Sequence, residues 1–142
     1  EEVNLMSEIQ TIITQDKTGE KLVDFAKRTA EQLVKNQLTR GQVRNIFTEV
    51  RKIEALWEAE GVKKSSERDY SRALRRLVML KPKMDYQTAR IPQVQRLKEV
   101  LSEAIDEVVK GQTPEEQNER FKRFMNLFEA ILAYHRAEGG RN

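Results

Sequence analysis

The sequence predicts an all-α fold, a single-domain bundle of about five to six helices. Apolar residues recur every three or four positions along most of the chain, which is the spacing of one helix face, and no segment reads as a strand. Only six Gly and three Pro interrupt the 142 residues, so we expect long helices and short joints. Each predicted helix has a single apolar stripe, and such helices are stable only when they pack around a shared core.

Two helices are predicted before residue 37. Leu5, Met6, Ile9, Ile12 and Ile13 recur at helical spacing and predict a short first helix. Thr18 is the expected N-cap of the second helix, which should end near Asn36. The apolar face of this second helix comprises Leu22, Phe25, Ala26, Thr29 and Leu33.

The third helix has the clearest start signal in the chain. Thr39 and Gln42 have the spacing of a capping box, and Leu38 and Val43 have that of a hydrophobic staple. Gly61 is the expected C′ residue that stops the helix. Its apolar stripe comprises Val43, Ile46, Phe47, Val50, Ile53 and Trp57.

Proline and glycine residues mark most of the predicted helix boundaries in the second half of the chain. A fourth helix is predicted from Ser66 to Leu80, and Pro82 is expected to kink it or to begin a short separate piece that ends at Arg90. Pro92 restarts the chain into a fifth helix, which should end by Gly111. The last helix is predicted to begin with a capping box at residues 113–116 and to stop at Gly139 and Gly140, with Phe121, Phe124, Met125, Phe128, Ile131 and Leu132 along its apolar face.

Positive charge is concentrated in the middle of the chain. Residues 40–98 contain 15 of the 26 Lys and Arg and only seven Asp and Glu, which is a net charge of +8, while the whole chain is +3 and the remainder therefore −5. A basic segment in an otherwise acidic chain is typical of a protein that binds a polyanion.

Helical geometry places these charges on two predicted faces. On the third helix, Arg40, Arg44 and Arg51 fall within about 40° of one another, with Lys52 further round. On the fourth, a basic stripe lies opposite the apolar face and comprises Arg68, Arg72 and Arg75, with Arg76 beside it. The positive run is extended beyond Leu80 by Lys81, Lys83 and Arg90.

A solvated surface is the simplest interpretation of such stripes, but two features favour binding. The planar guanidinium of Arg suits phosphate oxygens, and Arg outnumbers Lys on both helices. Arg68, Arg72 and Arg76 also follow one another at i,i+4 spacing, where acids would otherwise offset them. Most aromatic residues lie on apolar stripes, so we expect contacts to the nucleic-acid backbone rather than a stacking platform. Tyr86, between Lys83 and Arg90, is the best candidate for an exposed ring.

The chain offers few groups for catalysis or metal binding. It has no Cys and one His, so it can form neither a thiolate zinc site nor a disulfide, and we expect no cofactor. His135 is expected at the negative end of the last helix, where a partly charged imidazole is favoured. The lack of Cys and of a long apolar run predicts a cytoplasmic protein with no membrane partner. Two alternative functions stay open: a helical adaptor for acidic protein partners, and a small nuclease that uses carboxylate-bound magnesium.

Three segments resemble a known family. Residues 38–50, which include the pattern LT-x-x-QVRNI-x-x-EV, are similar to the opening motif of the small helical subunit of type III-A (Csm) CRISPR effector complexes. Residues 80–90 resemble its central LKPK-x-x-Y-x-x-x-R element, and residues 123–135 resemble its C-terminal F-E-A-hydrophobic-x-A-Y element. The likeness covers roughly residues 38–138, and we expect residues 1–35 to be variable N-terminal helices.

The resemblance implies a non-catalytic RNA-binding subunit of an antiviral ribonucleoprotein. Such a subunit stacks in a filament along guide RNA and target RNA, contacts their backbones, and leaves RNA and DNA cleavage to other subunits of the complex. Self-association as a homodimer is a further expectation for the isolated protein. The resemblance carries the RNA-facing role to Arg44, Lys81, Lys83 and Arg90, whereas the other basic residues above rest on helical geometry alone.

Overall fold

The protein is a bundle of six α-helices. The computed structural model describes residues 2–142, with side chains from residue 8 onward. The helices are α1 (Glu2–Thr14), α2 (Glu20–Lys35), α3 (Arg40–Gly61), α4 (Ser71–Arg90), α5 (Gln95–Val109) and α6 (Pro114–Ala137), and two short 3₁₀ turns cover Ser65–Glu67 and Pro92–Val94. No strand occurs in this part of the chain, which confirms the predicted all-α class.

One core unites the six helices. The most extensive packing is between α2 and α6, and α5 packs against α1, α4 and α6. The predicted apolar faces of α2 and α3 are buried, and Phe25, Phe124 and Phe128 are among the largest fully buried side chains. α3 and α4 form an antiparallel pair, because Trp57 near the end of α3 stacks on Tyr70 while Glu49 in the middle of α3 meets Lys83 far along α4.

The first two helices form as predicted, but the predicted cap of the second is wrong. Ile9, Ile12 and Ile13 are buried on α1, while the side chains of Leu5 and Met6 lie outside the described residues. The N-cap of α2 is Gly19, in the left-handed region at φ 81°, instead of Thr18. Asp16 reaches over this turn, and its Oδ2 accepts a hydrogen bond from the Leu22 N–H at 3.0 Å, which satisfies one of the free donors of the first turn.

The start of α3 is confirmed in detail. Thr39 Oγ1 accepts from the Gln42 N–H at 3.2 Å, and Gln42 Oε1 accepts from the Thr39 N–H at 2.8 Å, so both bonds of the capping box are present. The predicted role of Gly61 as a left-handed C′ residue is wrong, because Gly61 is the last helical residue and Val62 continues in right-handed geometry. Glu60 closes the joint instead: its Oε2 accepts from the Asp69 N–H at 3.0 Å.

α4 differs from its prediction at both ends. It begins at Ser71, since residues 65–67 form a 3₁₀ turn where the sequence predicted the helix start, and it continues to Arg90 without a break at Pro82. Pro82 lacks an N–H and leaves the Val78 carbonyl without its helical donor, at a cost of about 3 kcal/mol in a helix interior. Both residues are exposed, so water can reach this carbonyl, and the buried side chains of Leu77, Leu80 and Met84 hold the helix on both sides of the proline.

The last helix begins almost as predicted. Thr113 Oγ1 accepts from the Glu116 N–H at 3.1 Å with Pro114 in the first turn, but Glu116 Oε1 accepts from the Gln112 N–H at 2.9 Å. The reciprocal bond of the predicted capping box is therefore displaced by one residue. The stop after α6 is confirmed by Gly139 at φ 94°.

His135 lies in the last turn of α6, as predicted, and its side chain is buried in the core. Its ring is fully buried, and Nε2 lies 2.8 Å from the carbonyl oxygen of Leu38. The C-terminal segment folds back over the same joint, where the Arg141 carbonyl accepts from the Arg40 N–H at 2.7 Å. His135 thus joins α6 to the start of α3 through a buried contact.

Candidate nucleic-acid interface

The most basic surface follows one side of α4. Because α4 is continuous through Pro82, residues before and after the proline share a face, and seven of them fall within an arc of about 100°. We call this surface the α4 basic face; it comprises Arg72, Arg75, Arg76, Met79, Lys83, Tyr86 and Arg90. At a rise of about 1.5 Å per residue, it extends roughly 27 Å along the helix.

The guanidinium groups on this face are largely free. Arg72, Arg75 and Arg76 are exposed, and none of them forms an ion pair or a hydrogen bond with the described residues. Arg90 is also exposed and lies over the ring of Tyr86, 5.8 Å from the ring centroid. A run of Arg without acidic partners, repelling one another along a single helix, favours an anionic partner.

The edge of the face toward α3 carries a small charged cluster. Glu49 Oε2 lies 3.1 Å from Lys52 Nζ, and its Oε1 lies 3.4 Å from Lys83 Nζ. The hydrogen bond from Lys52 lowers the pKa of the Glu49 carboxyl, and the hydrogen bond from Lys83 adds to the effect. Two ammonium groups share one carboxylate here, so the cluster keeps a net positive charge and joins Lys52 to the α4 basic face.

Charged side chains on the opposite edge of α4 form ion pairs with α5. Lys81, about 180° from Arg72 around the helix, is half-buried, and its Nζ lies 2.7 Å from Asp106 Oδ1. Asp85, the single acid of α4, lies 2.9 Å from Lys98 Nζ. Of the basic residues in the LKPK segment, the structure therefore brings Lys83 to the α4 basic face and directs Lys81 toward α5.

The basic stripe of α3 does not join this surface. Arg51 pairs with Glu54 at 2.8 Å and lies 3.7 Å from Glu129 on α6, and its guanidinium covers the Phe47 ring at 4.9 Å. Arg40 and Arg44 lie on the same side of α3, roughly opposite the Glu49 side that borders α4. Arg40 is half-buried at the C-terminal segment, and Arg44 is exposed without an ion pair to any described residue.

Arg68 is separated from both faces. It lies in the joint before α4, where its Nε donates to the Lys63 carbonyl at 2.9 Å, so its predicted place on the fourth helix is wrong. It borders an open groove of about 600 Å³ between the end of α3 and α6. The groove is mixed in charge, with Glu54, Glu58 and Glu129 beside Arg68 and Lys122.

The sequence did not lead us to predict that the residues before and after Pro82 form one continuous basic face on α4. From the sequence, we expect Pro82 to kink or divide the helix, and Lys83 and Arg90 then extend the positive run rather than form part of one face with Arg72. A usable signal was present: at about 100° per residue, Lys83 and Arg90 fall within roughly 20° of Arg72 if the helix is continued through the proline. Met79, which is 52% exposed at the centre of the face, was not predicted as part of it.

The described residues contain no group of three or more His, Asp or Glu that could hold a metal ion. None of the helices, over the same residues, is long and apolar enough to cross a membrane.

Comparison with known protein families decides which assembly the protein serves. The family model for Csm2 of type III-A matches residues 16–141, which is nearly the whole chain. The chain belongs to the Csm2 family. Membership of the Csm2 family means a small subunit of a type III-A CRISPR effector complex, with the other subunits of that complex as partners. No curated protein and no solved structure gives a significant match.

The Csm2 match extends beyond the three resembling segments. It begins at residue 16, in the joint between α1 and α2, and includes all of α2 to α6. The α4 basic face therefore lies wholly within the matched region, and so do the segments at residues 38–50, 80–90 and 123–135 on which the family resemblance rested.

Proposed function

We propose that this Csm2 chain is a non-catalytic, cytoplasmic RNA-binding subunit that holds the RNA backbone along its α4 basic face during antiviral interference. The observation that carries the proposal is the uninterrupted helix through Pro82, which aligns Arg72, Arg75, Arg76, Lys83 and Arg90 on one exposed side. Repeated copies of the subunit in a filament would present these faces in succession to guide RNA and target RNA.

The chemistry of the face supports backbone binding without sequence reading. Guanidinium groups form paired hydrogen bonds to phosphate oxygens, and phosphate contacts position a nucleic acid without identifying its bases. Arg72, Arg75 and Arg76 have no partner among the described residues, so no internal ion pair has to break when phosphate binds. We expect smaller contributions from the basic residues that are already paired with carboxylates, which are Arg51, Lys52, Lys81 and Lys83.

Binding of the isolated protein to single-stranded RNA should fall steeply as salt rises. Each phosphate that the α4 basic face neutralises contributes about −0.7 to the slope of log K against log salt, so three to five contacts predict a slope of roughly −2 to −3.5. Fluorescence anisotropy with a labelled RNA across a salt series measures this slope. A polyglutamate of similar charge serves as the competitor: displacement of RNA by polyglutamate at equal charge would favour an adaptor for acidic proteins, and a flat salt response would remove the electrostatic argument.

The protein should not cleave the RNA that it binds. Hydrolysis requires an acid–base pair or converging metal ligands near the phosphate. Glu49 at the edge of the α4 basic face and Asp85 within α4 are already in ion pairs with lysines. Labelled RNA incubated with the protein and Mg²⁺ or Mn²⁺ should remain intact. Metal-dependent cleavage that disappears when a single Asp or Glu is changed to Ala would support the nuclease alternative.

A further inference from the structure

Tyr86 is the exposed aromatic ring of the α4 basic face. Its side chain is 65% exposed, whereas Phe25, Phe47, Trp57 and Tyr70 are buried, as are Phe121, Phe124 and Phe128. Tyr134 is half-buried. A single exposed ring needs no explanation in itself. The position of this one does, because it lies on the α4 basic face, between Lys83 and Arg90 in sequence and about 40° from Arg90 around the helix.

The Tyr86 ring is largely exposed and has a cation beside it. The guanidinium of Arg90, one turn further along α4, lies 5.8 Å from the ring centroid, a distance at which a cation is attracted to the ring face. Lys83 is one turn earlier, and its ammonium is 3.4 Å from Glu49. The ring therefore lies beside a cation within a strip of positive charge.

An exposed aromatic ring flanked by cations suits one kind of ligand group, an unpaired nucleobase whose backbone is held by those cations. Proteins bind single-stranded RNA by stacking bases on aromatic side chains beside a positive groove, and this stacking tolerates any base. In a duplex, the bases are enclosed in their own stack, so the same surface can contact only phosphates and sugars.

We propose that Tyr86 stacks on one unpaired base of an RNA strand that runs along the α4 basic face, with Lys83 and Arg90 neutralising the phosphates on either side. This inference rests on the proposed function and deepens it. It assigns to the face one stacking site in addition to its backbone contacts, and it predicts a preference for unpaired over fully paired RNA.

The test compares Tyr86→Ala with two matched variants of the full chain. Tyr86→Ala should weaken binding of a short single-stranded RNA by about tenfold, in the range of one base–aromatic stack. Tyr86→Phe keeps the ring and should bind like the parent protein. Val23→Ala removes an exposed apolar side chain on α2, outside the α4 basic face, and it should change affinity less than about twofold. Both substituted positions are exposed, and circular dichroism melting should show unchanged folds.

Two further readouts separate stacking from charge. The salt slope of Tyr86→Ala should equal that of the parent protein, because no charge is removed, and binding to the same strand annealed to its complement should be unchanged. A 2-aminopurine base placed in the single strand should be quenched by the parent protein and by Tyr86→Phe, but not by Tyr86→Ala. Equal loss for single and double strands, or no loss at all, overturns the stacking role. Steep salt dependence with no effect of Tyr86→Ala leaves the proposed function standing, whereas parent protein that binds no RNA overturns both.

Discussion

Reversing Arg72 and Arg75 to Glu is expected to weaken RNA binding by about 25-fold or more at roughly 0.1 M salt. Each lost phosphate contact removes about 0.7 from the slope of log K against log salt. Between 1 M and 0.1 M salt, this change of slope corresponds to a loss of about fivefold in affinity per contact. The introduced carboxylates also repel the phosphates. Both side chains are exposed and have no partner among the described residues, so the free energy of unfolding should change little. Anisotropy titrations and thermal melting of the same preparation measure the two quantities.

The matched control carries the same change of charge on a different helix. Lys21 and Lys27 on α2 are exposed and form no ion pair with the described residues, and reversing both to Glu alters net charge as much as the α4 reversal does. RNA affinity should fall far less in this control, since the effect of net charge alone is screened by salt beyond about 10 Å. Equal losses in the two double variants would show that overall charge, not the α4 basic face, determines binding.

Trp57→Ala should lower the free energy of unfolding by about 3–5 kcal/mol, the cost of truncating a large aromatic side chain in a core. The indole is 3% exposed and stacks on Tyr70 at 4.3 Å and on Phe121 at 4.2 Å, so it joins α3 to the start of α4 and to α6. Its Nε1 also donates to Asn118 Oδ1 at 2.9 Å, and truncation leaves this acceptor without its donor. Urea denaturation followed by circular dichroism measures the loss.

Trp57→Phe separates the stacking from the hydrogen bond. This variant retains an aromatic ring between Tyr70 and Phe121 but removes the donor to Asn118, and we expect it to cost about 1–2 kcal/mol. RNA affinity at a temperature at which both variants are folded should match that of the parent protein, since Trp57 is not part of the α4 basic face. A loss below about 1 kcal/mol for Trp57→Ala would contradict its role as the central ring of this cluster.

Local chemistry explains why much of the fold could be predicted. The capping box of α3 depends on two side chains three residues apart, and the buried faces of α2 and α3 depend on a spacing of three and four residues. The wrong predictions concern places where a distant or unexpected group takes over a local role. Asp16 replaces Thr18 at the start of α2, and the bond from Asp69 to Glu60 closes α3 without a left-handed Gly61.

For the same reason, the candidate site could be predicted only in part from the sequence. Composition predicts that residues 40–98 are basic, but it does not predict which of those charges are free. Arg51 pairs with Glu54 on its own helix and lies near Glu129 on α6. Lys81 pairs with Asp106 on α5. No described residue pairs with Arg72, Arg75 or Arg76. These outcomes depend on which helices become neighbours, and no local pattern contains that information.

The sequence by itself determined the helical class, most helix positions, the basic middle segment and the lack of Cys and of a second His. Only the tertiary structure decided that α4 continues through Pro82. Local preference disfavours a proline inside a helix by about 3 kcal/mol, and the burial of Leu77, Leu80 and Met84 on both sides of Pro82 outweighs that cost. The same packing turns Lys83, Tyr86 and Arg90 to the side of Arg72, and so it creates the surface on which the proposed function rests.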